Sequence, residues 1–311
     1  MAESLRPPFF AVLDSTIVSA FRACPRSAYL AYLQHFKPRG QSVHLHAGGA
    51  FAHGLEVART LFYKDQVDEA DAVAEGVKAL LEFYGDFECP ADSAKSAARM
   101  AMALAYYFDA YPMATDSAKP ISLPGGKIGV EFSFAEPIDA DHPESGDPIL
   151  YVGRMDMAVE YAGAVYGEDD KTTSTLGASW SKQWDLRSQF TGYTWGANRA
   201  GLNLAGFLVR GIGILKTKFD TQQALTYRPQ WMVDRWYEQL LRDVQRMKQC
   251  WESGLWDYNL DHSCNDYGGC QFRSVCLGRD PRSWLETAFE RRVWDPVKRE
   301  ERKVVDWPYS L

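Results

Sequence analysis

The 311-residue chain is poor in several features, and each absence narrows what it can be. No apolar run approaches the roughly 18 residues of a membrane-spanning helix. Its first eight residues, Met-Ala-Glu-Ser-Leu-Arg-Pro-Pro, lack the charged-then-apolar layout of a secretory leader. The expectation is a protein of a reducing, cytoplasmic compartment, where disulfides rarely persist. There is no excess of positive charge: 34 Lys and Arg face 41 Asp and Glu, a formal net charge of −7. A non-specific nucleic-acid binder usually reads basic, so the acidic total counts against DNA as a partner without excluding it. A local basic groove can coexist with an acidic exterior. A Gly-x-x-x-x-Gly-Lys-Ser/Thr loop is missing, which excludes a P-loop motor. Internal repeats, low-complexity tracts and cysteine pairs two to four residues apart are missing as well.

What is present suffices for a substantial core. Apolar residues make up 46% and aromatic residues 14% of the chain, so global disorder is not expected. The length is long for one core and short for two full domains. The expectation is a single α/β domain over 1–311, with an N-terminal helical region (1–115), a catalytic core (116–228) and a C-terminal helix with a cysteine-rich region (229–311). Apolar residues at helical spacing predict helices over 14–36, 48–63, 67–85, 92–111, 178–200 and 229–252. Alternation predicts strands over 127–135, 149–160 and 163–172, and two more over 206–215 and 222–228. From 256 onward periodicity fades, and the tail is expected to be held by cysteines rather than by a core.

Two constellations carry chemistry. The first is Gly153-Arg154-Met155-Asp156-Met157 in one strand and Glu168-Asp169-Asp170-Lys171-Thr172 ending the next. Side chains alternate across a strand, so Asp169 and Lys171 share a face and Asp170 points away. A turn at Ala162-Gly163 would bring Asp156 beside Asp169. Two carboxylates and an ammonium suit metal-assisted phosphodiester hydrolysis, in which hard oxygen ligands hold Mg²⁺ or Mn²⁺. The plain alternative is a solvated acidic hairpin with a chance Asp-x-Lys. His53, on a helix, is either a packed residue or a metal ligand. Gln189 and Tyr193, at i and i+4, share a helical face and can hydrogen-bond to DNA. Trp180, Trp184 and Trp195 stack on bases or pack a helix on the sheet.

The second constellation is Cys264, Cys270 and Cys276, with five residues between neighbours, and Cys24 far upstream in the helix Ser19–Arg26. Four thiolates can cage an iron–sulfur cluster. Zinc sites favour closer pairs, and buried thiols without metal are the third reading. Cys89 and Cys250 read as ordinary thiols.

Taken together these residues resemble the iron–sulfur exonucleases of the RecB-like branch of the PD-(D/E)XK nuclease superfamily: the AddB-type, CRISPR-adaptation and phage relatives. Cys24-Pro25-Arg26 is similar to the family's first cluster ligand, and Cys264, Cys270 and Cys276 to its C-terminal triplet. His53 corresponds to the motif-one histidine, Asp156 to the central aspartate, Asp169-Asp170-Lys171 to (D/E)-x-K, and Gln189–Tyr193 to Q-x-x-x-Y. Glu131 corresponds to a glutamate on the preceding strand, an accessory candidate.

The resemblance implies a restriction-endonuclease-like α/β fold: a mixed central sheet flanked by helices, closed by a [4Fe–4S] clasp. It implies metal ligation by His53, Asp156 and Asp169, catalysis by Asp156, Asp169 and Lys171, and DNA contacts by Gln189 and Tyr193. It further implies a Mg²⁺- or Mn²⁺-dependent exonuclease on single-stranded or end-containing DNA, with a helicase or recombination protein as partner, in a bacterial or phage-infected cell. The alternative is a noncatalytic module that guides DNA to such a partner. Asp170, facing away, is expected to be dispensable for activity.

Overall fold

A computed structural model describes residues 6–40, 42–123, 125–260, 262–265, 269–304 and 307–309. The first five residues, on which the leader expectation partly rests, lie outside them. In chain order the elements are β1 (Val12–Leu13), α1 (Ser15–Ala23), α2 (Pro25–Ala28), β2 (Phe36–Pro38), α3 (Val43–Arg59), α4 (Glu69–Tyr84), α5 (Ala97–Ala110), β3 (Lys119–Pro120), β4 (Val130–Asp141), β5 (Pro148–Tyr161) and β6 (Ala164–Thr173). Then follow α6 (Ala178–Lys182), α7 (Ser188–Arg199), β7 (Gly206–Ile214), β8 (Phe219–Tyr227), α8 (Gln230–Ser253), α9 (His262–Asn265), α10 (Arg273–Leu277), α11 (Pro281–Ala288), β9 (Phe289–Asp295) and β10 (Glu300–Lys303). The result is a mixed α/β fold with a central mixed sheet flanked by helices, consistent with a restriction-endonuclease-like fold. Two compact units emerge, Met1–Gly40 with Phe134–Gly153 and Asp234–Leu311, and Gln41–Ser133 with Arg154–Val233.

In the second unit β6 runs antiparallel to β5 and parallel to β7, and β8 returns antiparallel to β7. A parallel neighbour needs a crossover, which α6 and α7 supply. Gly206-Phe-Leu-Val-Arg-Gly-Ile-Gly-Ile, the whole of β7, is buried. A strand covered on both faces reads as a continuous apolar run, not as an alternation, and only Arg210 interrupts it. The helices α3, α4 and α5 pack around Phe51, Leu55, Leu80, Met100, Leu104 and Tyr107. α3 and α4 touch backbone to backbone: a Cβ on Gly76 would stand 2.6 Å from the Gly54 carbonyl oxygen and 2.8 Å from the Ala58 Cβ.

In the first unit β1 pairs parallel with the start of β5, Val12 opposite Leu150. Asp14 caps α1 by accepting from the Ile17 N–H at 2.8 Å. The long helix α8 buries Trp236, Leu240, Val244, Met247 and Trp251 along one stripe. Its Asp243 accepts from the Arg22 guanidinium at 2.6 Å.

Three sequence expectations are corrected. The stretch 14–36 is not one helix. Cys24 is extended, with φ −165° and ψ 114°, and separates α1 from α2. The cause is Pro25, which disfavours the helical region for the residue before it. Cys24 thus sits at a break, not within a helix. The stretch 178–200 likewise divides into α6 and α7. The tail, finally, has a core of its own. Phe272, Val275, Leu285 and Phe289 bury against Leu30, Ala31 and Phe36, and β9 pairs with both β10 and β2. No periodicity betrays this because each apolar residue comes from a different short element. Their partners lie more than two hundred positions upstream.

Gly76→Ala should lower stability by about 1–3 kcal/mol, the usual cost of overpacking, even though alanine is the better helix former. Gly49→Ala, whose Cβ would meet only the Phe83 ring at 3.3 Å, should be close to neutral. Urea denaturation of the two variants checks this contrast.

Candidate active site

The β5–β6 ladder pairs Met157 with Glu168, so the next position sets Asp156 opposite Asp169. There the side chain replaces the ladder: the Asp156 carboxylate accepts the Asp170 backbone N–H at 2.8 Å. On the same face of β6, the Lys171 ammonium forms an ion pair with Asp169. The two carboxylates and the lysine that the sequence nominates are therefore together. Burial, then the neighbouring charges of Asp169 and Asp170, pushes the Asp156 carboxyl up to about 6. Burial alone would lower the Lys171 pKa, but Asp169 and Asp156 more than offset it and raise it.

The opposite face of β6 carries a different set. Glu168 and Asp170 both accept from Arg59 of α3, each at 2.6 Å. Tyr107 of α5 donates to Asp170 at 2.6 Å and accepts from Arg59 at 3.0 Å. Arg210, across the ladder from Asp170, donates to both oxygens of Asp116 and lies 3.6 Å from Glu168. Two guanidiniums thus face three carboxylates. The deficit falls on Glu168, the deepest: burial raises its pKa to about 7 against the pull of Arg210 and Arg59. Asp170 points away from Asp169 and Lys171, as alternation requires, but it is not a spare residue. The sequence carries a signal for this set, namely an arginine ending the Ala-rich turn of α3 and another inside the apolar run of β7. Charged residues are almost never fully buried unless paired.

The other nominated residues are placed less centrally. His53 is half-exposed on α3, where Nδ1 stands 3.5 Å from Glu56 and the ring tilts against Phe83; it makes no ion pair with Asp156 or Asp169. Gln189 of α7 donates to the Tyr193 hydroxyl at 3.2 Å, and Tyr193, buried, acts electrostatically on Lys171. Glu131 pairs with Arg154 at 2.9 Å, and Arg154 shares its strand face with Asp156. Trp180, Trp184 and Trp195 are buried, so they serve packing. Among the described residues no three His, Cys, Asp or Glu side chains gather closely enough to hold a metal ion. Mg²⁺ does not require three, since one or two carboxylates plus waters suffice. The buried Asp169 oxygen has the Lys171 ammonium as its partner, and two carboxylates against one ammonium are a donor set that suits such a cation.

In the first unit Cys24, Cys264, Cys270 and Cys276 line one cavity of about 310 Å³. The Cys270 N–H donates to the Cys264 carbonyl at 3.0 Å. Burial pushes the Cys276 thiol up while Arg26 draws it down. All four are free thiols.

A family model described as the PD-(D/E)XK nuclease superfamily matches residues 15–277. The chain belongs to that superfamily. Membership points to a nuclease, a hydrolase of phosphodiester bonds. No curated protein matches the chain. A solved structure titled "Crystal structure of SSO0001" is similar over 75% of this chain and 76% of its own, at 12% identity and a TM-score of 0.30. Among the described residues no helix is long and apolar enough to cross a membrane.

Two outcomes are expected. Asp170→Ala should destabilise the fold by about 3–5 kcal/mol, the cost of breaking a buried charge pair. Asp169→Ala should cost less, because its partner Lys171 is a third exposed while the Arg59 left by Asp170→Ala is buried; chemical denaturation compares them. The second concerns pH. Glu168 and Asp156 hold protons more tightly folded than unfolded, so their contribution is complete below their ordinary values near 4. It is lost as pH rises through about 6 and about 7. Metal-free protein should therefore lose stability between about pH 4.5 and 7.5, and Glu168→Gln should flatten that slope in thermal melts.

Proposed function

We propose that this protein is a divalent-metal-dependent DNA exonuclease that carries a structural [4Fe–4S] cluster. The observation that supports the reading best is Asp156 set opposite Asp169, with Lys171 on the same face. The tripeptide Asp169-Asp170-Lys171 spells the D-x-K of the superfamily's name. Met155 stands where that name has proline, which leaves the carboxylate in place.

Asp156 and Asp169 supply hard oxygen ligands for Mg²⁺ or Mn²⁺. When bound, the cation supplies a Lewis acid and a lowered pKa for water. Lys171 holds a positive charge beside Asp169, where it orients the attacking water and meets the phosphate. Its raised pKa keeps it protonated throughout the neutral range. Tyr193 and Gln189 present a hydroxyl and an amide to the strand. His53 is assigned to the metal shell through a turn of its side chain, and Glu131 supports Arg154 next to Asp156. The exonuclease mode, with single-stranded or end-containing DNA and a helicase or recombination partner, follows from the resemblance of the motif order. For the cluster the support is four thiols on one cavity, together with the resemblance of their order in the sequence. Closing a loop of some 240 residues makes such a clip valuable, because closure entropy grows with loop length.

Asp156→Ala, Asp169→Ala and Lys171→Ala should each slow single-turnover cleavage of end-labelled DNA by roughly 10²–10⁴-fold. The triple variant should be little worse than one, because the three act as a unit. Normal cleavage by Asp156→Ala and Lys171→Ala would sink the assignment. Protein purified without oxygen should contain about four irons and matching acid-labile sulfide per chain. Cys276→Ala should lose them and Cys89→Ala keep them. Stoichiometric zinc without sulfide is the result that excludes the cluster.

A further inference from the structure

A cavity of about 400 Å³ opens in the second unit where β6 and β7 end. Its walls are the start of α3, the loop ahead of α5, Ser174 just beyond β6, and Leu215 and Lys216 just beyond β7. Open α/β sheets place ligands outside the carboxyl ends of parallel strands, and β6 and β7 are the parallel pair here. The position alone suggests a binding site. The chemistry of its wall says for what.

Lys95 is only 5% exposed. Its ammonium donates to the Thr172 hydroxyl at 3.0 Å, and among the described residues no carboxylate forms an ion pair with it. Of the other deeply buried cations of this unit, Arg59 has Asp170 and Glu168, Arg210 has Asp116, and Arg228 has three neutral acceptors, Thr191, Tyr227 and Trp184, where Lys95 has one. Asp92 also lines the cavity, but it is exposed and, among the described residues, forms no ion pair. An ammonium taken out of water without an anion is costly, and burial accordingly lowers the Lys95 pKa. Around it the rim offers Lys216, His44, Ser174 and Ser93. The Ser93 oxygen accepts from the Lys95 backbone N–H at 3.2 Å, which leaves its hydroxyl proton free to donate.

We propose that this cavity binds a phosphate group of the nucleic-acid strand, with Lys95 as its buried cation and Lys216, Ser93 and Ser174 as its rim. The identity of the phosphate's owner rests on the nuclease reading above. Lysine is a compact point charge with three donors, and charge-assisted bonds to phosphate are the strong ones. The volume exceeds what a monatomic anion fills. Thr172 directly follows Lys171, but alternation puts it on the Glu168–Asp170 face of β6, so the phosphate at Lys95 anchors the strand at the end of β6 and on the side away from Asp169 and Lys171. Local anchoring of this kind reconciles phosphate binding with a net charge of −7.

The test uses the whole protein without divalent metal. Inorganic phosphate is titrated calorimetrically into the wild type, Lys95→Met, Lys95→Arg and Lys216→Ala. Methionine matches the lysine stem and removes the buried charge, so the variant should fold; Lys216→Ala, exposed, serves if it does not. The expected result is saturable binding that weakens about tenfold or more in Lys95→Met, is retained in Lys95→Arg, and weakens a few-fold in Lys216→Ala. Binding of DNA oligonucleotides in Ca²⁺ should lose the same factor in Lys95→Met, with a salt slope shallower by roughly 0.7–0.9. Loss confined to 5′-phosphorylated strands identifies a terminal phosphate, and equal loss on 5′-hydroxyl strands an internal phosphodiester. Unchanged phosphate and DNA binding in both Lys95→Met and Lys216→Ala overturns the site while leaving cleavage, and the nuclease reading, intact. Phosphate binding that depends on Lys95 in a protein that cleaves no DNA would uphold the site and overturn that reading instead.

Discussion

Arg59 gripping Glu168 and Asp170 from α3 is the contact on which the site depends. Strand β6 has two faces, and alternation gives each a separate duty. The even positions, Glu168 and Asp170, are clamped by two guanidiniums and a tyrosine. The odd positions, Asp169 and Lys171, are left to face Asp156. A strand cannot slip by one residue without turning both sets over. Ion pairing on the buried face therefore fixes the register of the reactive one. Buried ion pairs are weak evidence for stability, but register is one of their best-attested uses.

Much of this was legible in the residues. The strand order around Asp156 and Asp169, the direction of Asp170, and the helices over 67–85 and 229–252 follow from periodicity, which is strong when an element is long. The clamp was not legible, because it joins Arg59, Asp116, Glu168 and Arg210 from four separate elements. A lone arginine in a helix says nothing of its partner. The partners of Asp170 were not legible for the same reason: alternation tells which way a side chain points, not what waits there. Cys24 was misplaced in a helix although the deciding residue, Pro25, stands beside it. The core of the tail was missed because Phe272, Val275, Leu285 and Phe289 belong to elements too short to show a period.

The two units divide the chemistry as well as the chain. The carboxylates, Lys171 and their clamp lie in one, and the four thiols in the other. Cys24 contributes from the start of the first unit and the other three from its end. The core of Leu30, Phe36, Phe272 and Phe289 joins the same two stretches by apolar contact. Any group held by the thiols thus reinforces a closure that packing already makes, which fits a structural part better than a reactive one.

Along β6 the charges do not balance, and each imbalance is resolved by a different agent. Three carboxylates face two guanidiniums on the buried side, and a proton on Glu168 near neutral pH removes the excess. Two carboxylates face one ammonium on the reactive side. There the strain appears in Asp156, whose carboxyl is raised toward 6; on the proposed reading a divalent cation held by both aspartates would relieve it. At the end of the strand the sign reverses, with the Lys95 ammonium buried against a hydroxyl alone. On the proposed reading a metal would complete the reactive side and a phosphate the end of the strand. On that reading an acidic protein would hold a polyanion by attraction confined to the few ångströms where low dielectric makes each charge count most.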